Sequence, residues 1–259
     1  EFAYQGPLMK FNLGKVSGVI TGNVTFNIIR KNSKIDKGIC YQTFELNDGD
    51  QLDIISTNSS VYGYFSIKNG FTGEYIWESC SVNTKAKIGS NNGEKFGINQ
   101  KIYINKNESL SDPKKIDYLN SKIECIRVLK GTNFNFFSKN AKQIFFSNEF
   151  TVSKLTDRMG MRLEGSKIEN LAETNIRSEG LIKGVIQVPA DGNPIIMLSD
   201  HGTIGGYPKI AVVISADYDK LTQLTPGSKI KFKAVELDEA ENLYKLYEME
   251  TKNILNQIR

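Results

Sequence analysis

Hydrophobic and polar residues alternate with period two in several short runs of this chain. KVSGVITGNVTFNII (15–29) alternates as a pair of strands, and QLDIIST (51–57) and VYGYFSI (61–67) are two more, since extended side chains point to opposite faces in turn. Asn47-Asp48-Gly49-Asp50 marks a turn. The opening EFAYQGPLMKF starts inside a strand pattern, so further chain is expected upstream. NKNESLSDPKK (105–115) is polar, carries one proline and has no period, which predicts a linker and two units, 1–115 and 116–259. The second opens with a strand in KIECIRVLKG (122–131), has a short helix in NAKQIFFS (140–147), and returns to strands through TDRMGMRLEG (156–165). IAVVISA (210–216) is β-branched and bounded by turn formers, the pattern of a buried strand.

The tail changes period. In LDEAENLYKLYEMETKNILNQIR, residues Leu243, Leu246, Tyr247, Ile254, Leu255 and Ile258 recur every three or four positions, which predicts an amphipathic helix packed on the body of the protein or on a partner. Asp238 followed by Glu241 has the form of a capping box. The fold class expected is mainly β, two β-rich units with few short helices and a C-terminal helix, each unit a barrel or sandwich.

Composition narrows the function classes. The 33 basic and 29 acidic residues give a net charge of +4, with the lysines scattered among asparagines, whereas a nucleic-acid face needs clustered charge. Cys40, Cys80 and Cys125 form no C-x-x-C pair, so they point to neither a disulfide framework nor a thiolate zinc site, and fit a reducing compartment, the cytoplasm by default. The single histidine, His201, leaves no second imidazole for a metal site or relay. No apolar stretch approaches the roughly 18 residues of a membrane span.

Three stretches carry the candidate chemistry. In TDRMGMRLEG, Arg162 and Glu164 share a strand face; with Arg158 they offer either an anion-holding fork or an ion pair at a barrel end. In SEGLIKGVIQVPADGNPIIML (178–198), Glu179 and Gln187 would be costly to bury unpartnered, and Gln187 reads as a sheet-internal hydrogen bonder or a ligand contact. In SDHGTIGGYPKIAVVISAD (199–217), Gly205 and Gly206 precede Tyr207 and Pro208; the pair is either a turn or a positive-φ nest whose N–H groups hold an anion.

The order and spacing of these stretches resemble the family known as allophanate hydrolase subunit 2, biotin-dependent carboxyltransferase or the 5-oxoprolinase C-subunit. The resemblance rests on TVSKLTDRMGMRLEG, SEGLIKGVIQVPADGNPIIMLSD and TIGGYPKIAVVISADYDKLTQLTPGSKIKF, with a weaker match of EFAYQGPLMKF and VYGYFSIKNGF. The chain departs from the family at Gly202, where members carry glutamine, and at Ile204, where they carry threonine. The resemblance implies cyclophilin-like barrel architecture and a subunit, inactive alone, of an ATP-dependent enzyme that opens 5-oxoproline to glutamate. ATP would reside on the partner, a second β-rich subunit. Glu179, Asp200 and Arg162 are the catalytic candidates; Arg158, Glu164, Gln187, Thr203, Gly205, Gly206 and Tyr207 are the substrate-binding ones, with no metal, and His201 is a neighbour. The alternatives are one half of a biotin-dependent carboxyltransferase acting on a urea-like amide, and a non-catalytic partner of a kinase or kinase inhibitor. An incomplete first unit is expected to leave apolar surface for an interface.

Overall fold

A computed structural model describes residues 1–12, 14–105, 113–117, 125–171 and 175–257. The chain divides into two compact units, Glu1–Tyr118 and Leu119–Arg259.

The first unit is built from β1 (Phe2–Ala3), β2 (Leu8–Lys10), β3 (Lys15–Thr21), β4 (Thr25–Ile29), β5 (Ile35–Lys37), β6 (Thr43–Asn47), β7 (Gln51–Ser56) and β8 (Tyr62–Ile67). They form two four-stranded antiparallel sheets, ordered β1-β8-β3-β6 and β2-β7-β4-β5. Both contribute inward residues to one core, Ile20, Phe26, Ile28, Leu46, Leu52 and Ile54, as period-two alternation requires. Residues 15–29 do hold two strands, but β3 and β4 lie in different sheets instead of pairing. The Asn47–Asp50 turn forms, with the buried Asp50 carboxylate accepting the Asn47 and Lys31 N–H groups and the Arg30 guanidinium. Of the expected linker, 106–112 lie outside the described residues, while Lys114 and Ile116 hydrogen-bond back to Thr43 and Tyr41 of the first unit. Tyr75, Trp77 and Ile98 are exposed apolar side chains of this unit.

The second unit holds β9 (Ile126–Lys130), α1 (Lys139–Ser147), β10 (Phe150–Val152), β11 (Gly160–Glu164), β12 (Glu179–Gly180), β13 (Val185–Gln187), β14 (Ile195–Met197), β15 (Ile204–Gly205), β16 (Lys209–Val213), α2 (Ser215–Thr222), β17 (Lys229–Ile230), β18 (Phe232–Ala234) and α3 (Leu237–Asn256). Eight strands form one sheet, β17-β10-β11-β14-β13-β16-β9-β18. Its edge strands β17 and β18 are separated only by Lys231, so the sheet rolls until its two ends lie side by side in a nearly closed barrel. Ile186, Ile196, Ile210, Met161 and Leu163 point into the core. Ser138 caps α1 by accepting the Ala141 N–H, and Phe145 stacks on Phe232 with centroids 4.5 Å apart.

Two expectations for this unit are corrected. The strand in 210–216 ends at Val213 and Ser215 starts α2, because the buried Asp217 carboxylate accepts the Arg127 backbone N–H and guanidinium and turns the chain there. The tail helix forms, but its N-cap is Glu236 with no side-chain cap, so no Asp238–Glu241 capping box exists. Leu243 and Tyr247 pack against Ile214, Ala216, Val235 and Ala240. Leu246 and Leu255 are exposed, and Ile258 lies outside the described residues.

Candidate functional site

β11 carries Arg162 and Glu164 on its outward face while Met161 and Leu163 are buried. Arg162 and Glu164 help to line an open cleft of about 260 Å³, with Ser153, Leu155, Leu163, Pro189, Asp191, Asn193, Ile195 and Tyr207. Glu164 Oε1 accepts the Ser153 hydroxyl at 2.5 Å. That leaves Arg162 without the Glu164 ion pair that was one of its two readings, and among the described residues no carboxylate lies within ion-pair distance of its guanidinium. The Pro189–Gly192 turn also lines the cleft and is closed by Gly192 N–H donating to Pro189 O at 3.0 Å, with Gly192 at φ +74°. Asp191 Oδ1 accepts the Asn193 backbone N–H and Oδ2 accepts Nδ2. Burial opposes ionisation of Asp191, but these two donors, with the charges of Lys167 and Arg162, outweigh it and hold the carboxyl below the usual range.

A second polar group underlies the Gly-Gly-Tyr-Pro stretch. β12 pairs with β15, Glu179 facing Gly205, and the Glu179 carboxylate accepts Lys209 Nζ at 2.8 Å. This Lys209 hydrogen bond, then its charge and the Asn133 amide, outweigh desolvation and hold the Glu179 carboxyl below its ordinary range. Lys209 is buried, and its backbone N–H donates to Asn133 Oδ1 at 3.0 Å. Gln187, also buried, donates Nε2 to Tyr207 O at 3.1 Å, which joins this group to the cleft wall. Neither Gly205 nor Gly206 adopts a positive φ, so the nest reading is corrected. Close approach favours glycine at 205, where a Cβ would meet Gln187 Nε2 at 2.7 Å, while one at 206 would meet the Ile176 carbonyl at a tight 3.2 Å.

Of the ten candidate residues, Arg162, Glu164 and Tyr207 line the cleft. Glu179, Gln187, Gly205 and Gly206 gather behind it. Arg158 and Asp200 form a separate ion pair at 2.9 Å. The carbonyl of Thr203 accepts the Leu181 N–H, and His201 is bonded locally through Nδ1 to Gly202 O at 2.6 Å. Lys209, Asn133, Ser153 and Asn193 were not singled out by the sequence pattern. Lys209 alone leaves a trace there, as a charge heading the apolar run KIAVV.

The family model of the carboxyltransferase domain, subdomain A and B, matches residues 1–234. The chain belongs to this family. Its carboxyltransferase match spans both units. The 5-oxoprolinase C-subunit of Haemophilus influenzae is 32% identical over 219 residues, covering 85% of this chain and 69% of the relative, and that of Escherichia coli is 30% identical over 196 residues, covering 74% and 62%. Among solved structures, the urea amidolyase of K. lactis superposes with a TM-score of 0.85 over 97% of this chain, at 22% identity and over 16% of its own length. That likeness shows a shared carboxyltransferase-domain fold. The protein is thus similar to a subunit of a hydrolase system, and among its described residues no helix is long and apolar enough to cross a membrane.

Proposed function

We propose that the chain is the subunit of an ATP-dependent 5-oxoprolinase that binds the cyclic amide and opens it to glutamate together with a partner subunit. The observation that carries this reading is an arginine lining a small cleft, with no ion-pair partner among the described residues, in a chain similar to a 5-oxoprolinase C-subunit at 32% identity over 85% of its length. The 5-oxoproline carboxylate matches a guanidinium fork, which binds such groups bidentately. The Glu164–Ser153 pair and Tyr207 would then flank the ring. Asp200 and Glu179 are already engaged by Arg158 and Lys209, so Glu164 is the better placed carboxylate for moving a proton. ATP is assigned to the partner subunit. The family's carboxyltransferase description supports a second reading, in which biotin on another polypeptide would supply a carboxyl group to a urea-like amide. The lining mixes apolar Leu155, Pro189 and Ile195 with polar Ser153, Asp191 and Asn193, which suits a small ring of either kind.

The test is glutamate release from 5-oxoproline by the reconstituted complex, with and without ATP and avidin. ATP-dependent, avidin-insensitive release is expected, and Arg162→Ala should lower it by about 100-fold or more without loss of fold, as for a charged anchor removed from a site. Activity close to that of the unaltered complex would make Arg162 structural. Avidin-blocked turnover of urea would favour the carboxyltransferase reading, and partner binding without any turnover the regulatory one.

A further inference from the structure

Among the described residues Asn193 is the one amide side chain lining the cleft, and its orientation is fixed by its neighbour. A side-chain amide can present either its oxygen or its NH2 to a ligand, and only the hydrogen-bond network decides which. Here the decision is made by Asp191, whose carboxylate takes the Asn193 backbone N–H on one oxygen and Nδ2 at 2.8 Å on the other. An ionised carboxylate only accepts, so the amide nitrogen must face Asp191 and the amide oxygen is the acceptor left over. Arg162 lines the same cleft from the neighbouring strand, where it pairs with Ile195, and Asp191 feels its charge. We propose that the Arg162–Asn193 pair is a two-point reader of carboxylate-bearing lactams: Arg162 takes the carboxylate, the Asn193 carbonyl oxygen takes the ring N–H, and Asp191 is the positioning residue that aims that oxygen. The proposal rests on the cyclic-amide reading above and adds to it what distinguishes a lactam from an isosteric ring lacking the N–H.

The test compares, by calorimetry on the full chain, binding of 5-oxoproline and of 5-oxotetrahydrofuran-2-carboxylate, the lactone in which a ring oxygen replaces the N–H. The unaltered chain should prefer the lactam by about tenfold or more, because the lactone sets two acceptors against each other. In Asp191→Asn the new side chain keeps one acceptor for the Asn193 backbone N–H and turns its own NH2 toward the Asn193 amide. That amide must then reverse and present NH2 to the ligand, so the preference should vanish or invert. Asp191→Glu, which restores a pure acceptor, should recover part of it. A merely structural role would weaken both ligands in parallel and leave their ratio unchanged. That outcome, or equal affinity of the unaltered chain for lactam and lactone, would overturn the reader while leaving the substrate reading in place. Binding of neither ligand by the unaltered chain, alone or in the reconstituted complex, would overturn both.

Discussion

Gly205 shows how one residue type ties the polar group behind the cleft to the cleft wall. Its missing Cβ leaves room for the buried Gln187 amide, which reaches past it to the Tyr207 carbonyl. A methyl group there would sit 2.7 Å from Gln187 Nε2 and 2.8 Å from Leu181 Cδ1. The amide cannot move away without giving up its acceptor, the Tyr207 carbonyl. Gly205→Ala is therefore expected to destabilise the second unit by about 1–3 kcal/mol, the cost of overpacking with a buried polar group displaced. In a double-mutant cycle by denaturant unfolding, Gln187→Ala should relieve a measurable part of that loss, since the two sites are in contact. Additive effects would mean that Gly205 is needed for some other reason. Part of this site was legible in the sequence and part was not. Arg162 and Glu164 emerge on one face because strand period alone places them there. Gln187 stood out as polar in an apolar run, with its partner undetermined. Lys209 and Asn133 meet across 76 residues of sequence, and Asn193 matters only because Asp191 restrains its amide, which no local pattern records.

The helices divide along the same line. α3 was legible because its apolar residues keep a period near 3.6, whereas α2 was hidden: the apolar run leading into it continues past the strand end, and what starts the helix is the Arg127–Asp217 contact, 90 residues apart. α3 is held to α2 by the Tyr247 hydroxyl, which donates to Asp219 Oδ2 at 2.5 Å. That hydrogen bond to a carboxylate, with burial and the Asp219 charge, pushes the Tyr247 pKa up to about 12. A pKa raised on folding means that the folded state holds its proton more tightly. The stabilisation is complete below the unfolded value of about 10 and disappears as pH rises through about 12. Thermal unfolding followed at 222 nm should therefore lose stability between about pH 10 and 12, and Tyr247→Phe should be less stable at neutral pH with a smaller loss over that window. An equal alkaline loss in the Phe variant would assign it to other groups.

At the scale of the whole chain, the two units keep separate cores. Ile20, Phe26, Leu46 and Leu52 close the first between two sheets, while Phe145, Phe150, Ile186, Ile196 and Phe232 close the second inside the barrel. Among the described residues all three α-helices belong to the second unit, so ellipticity at 222 nm reports mainly on that unit, and calorimetry reports on both. Arg127→Met would leave Asp217 buried without its cation, an arrangement that costs about 3 kcal/mol or more. Phe26→Ala would open a cavity in the first core at a similar cost, about 3–5 kcal/mol. Separate cores predict two calorimetric transitions, one coinciding with the 222 nm change. Arg127→Met should lower that transition alone, and Phe26→Ala the other alone, because mutations with no shared partners act independently. A single transition displaced as a whole by either substitution would show instead that the two units unfold as one cooperative body.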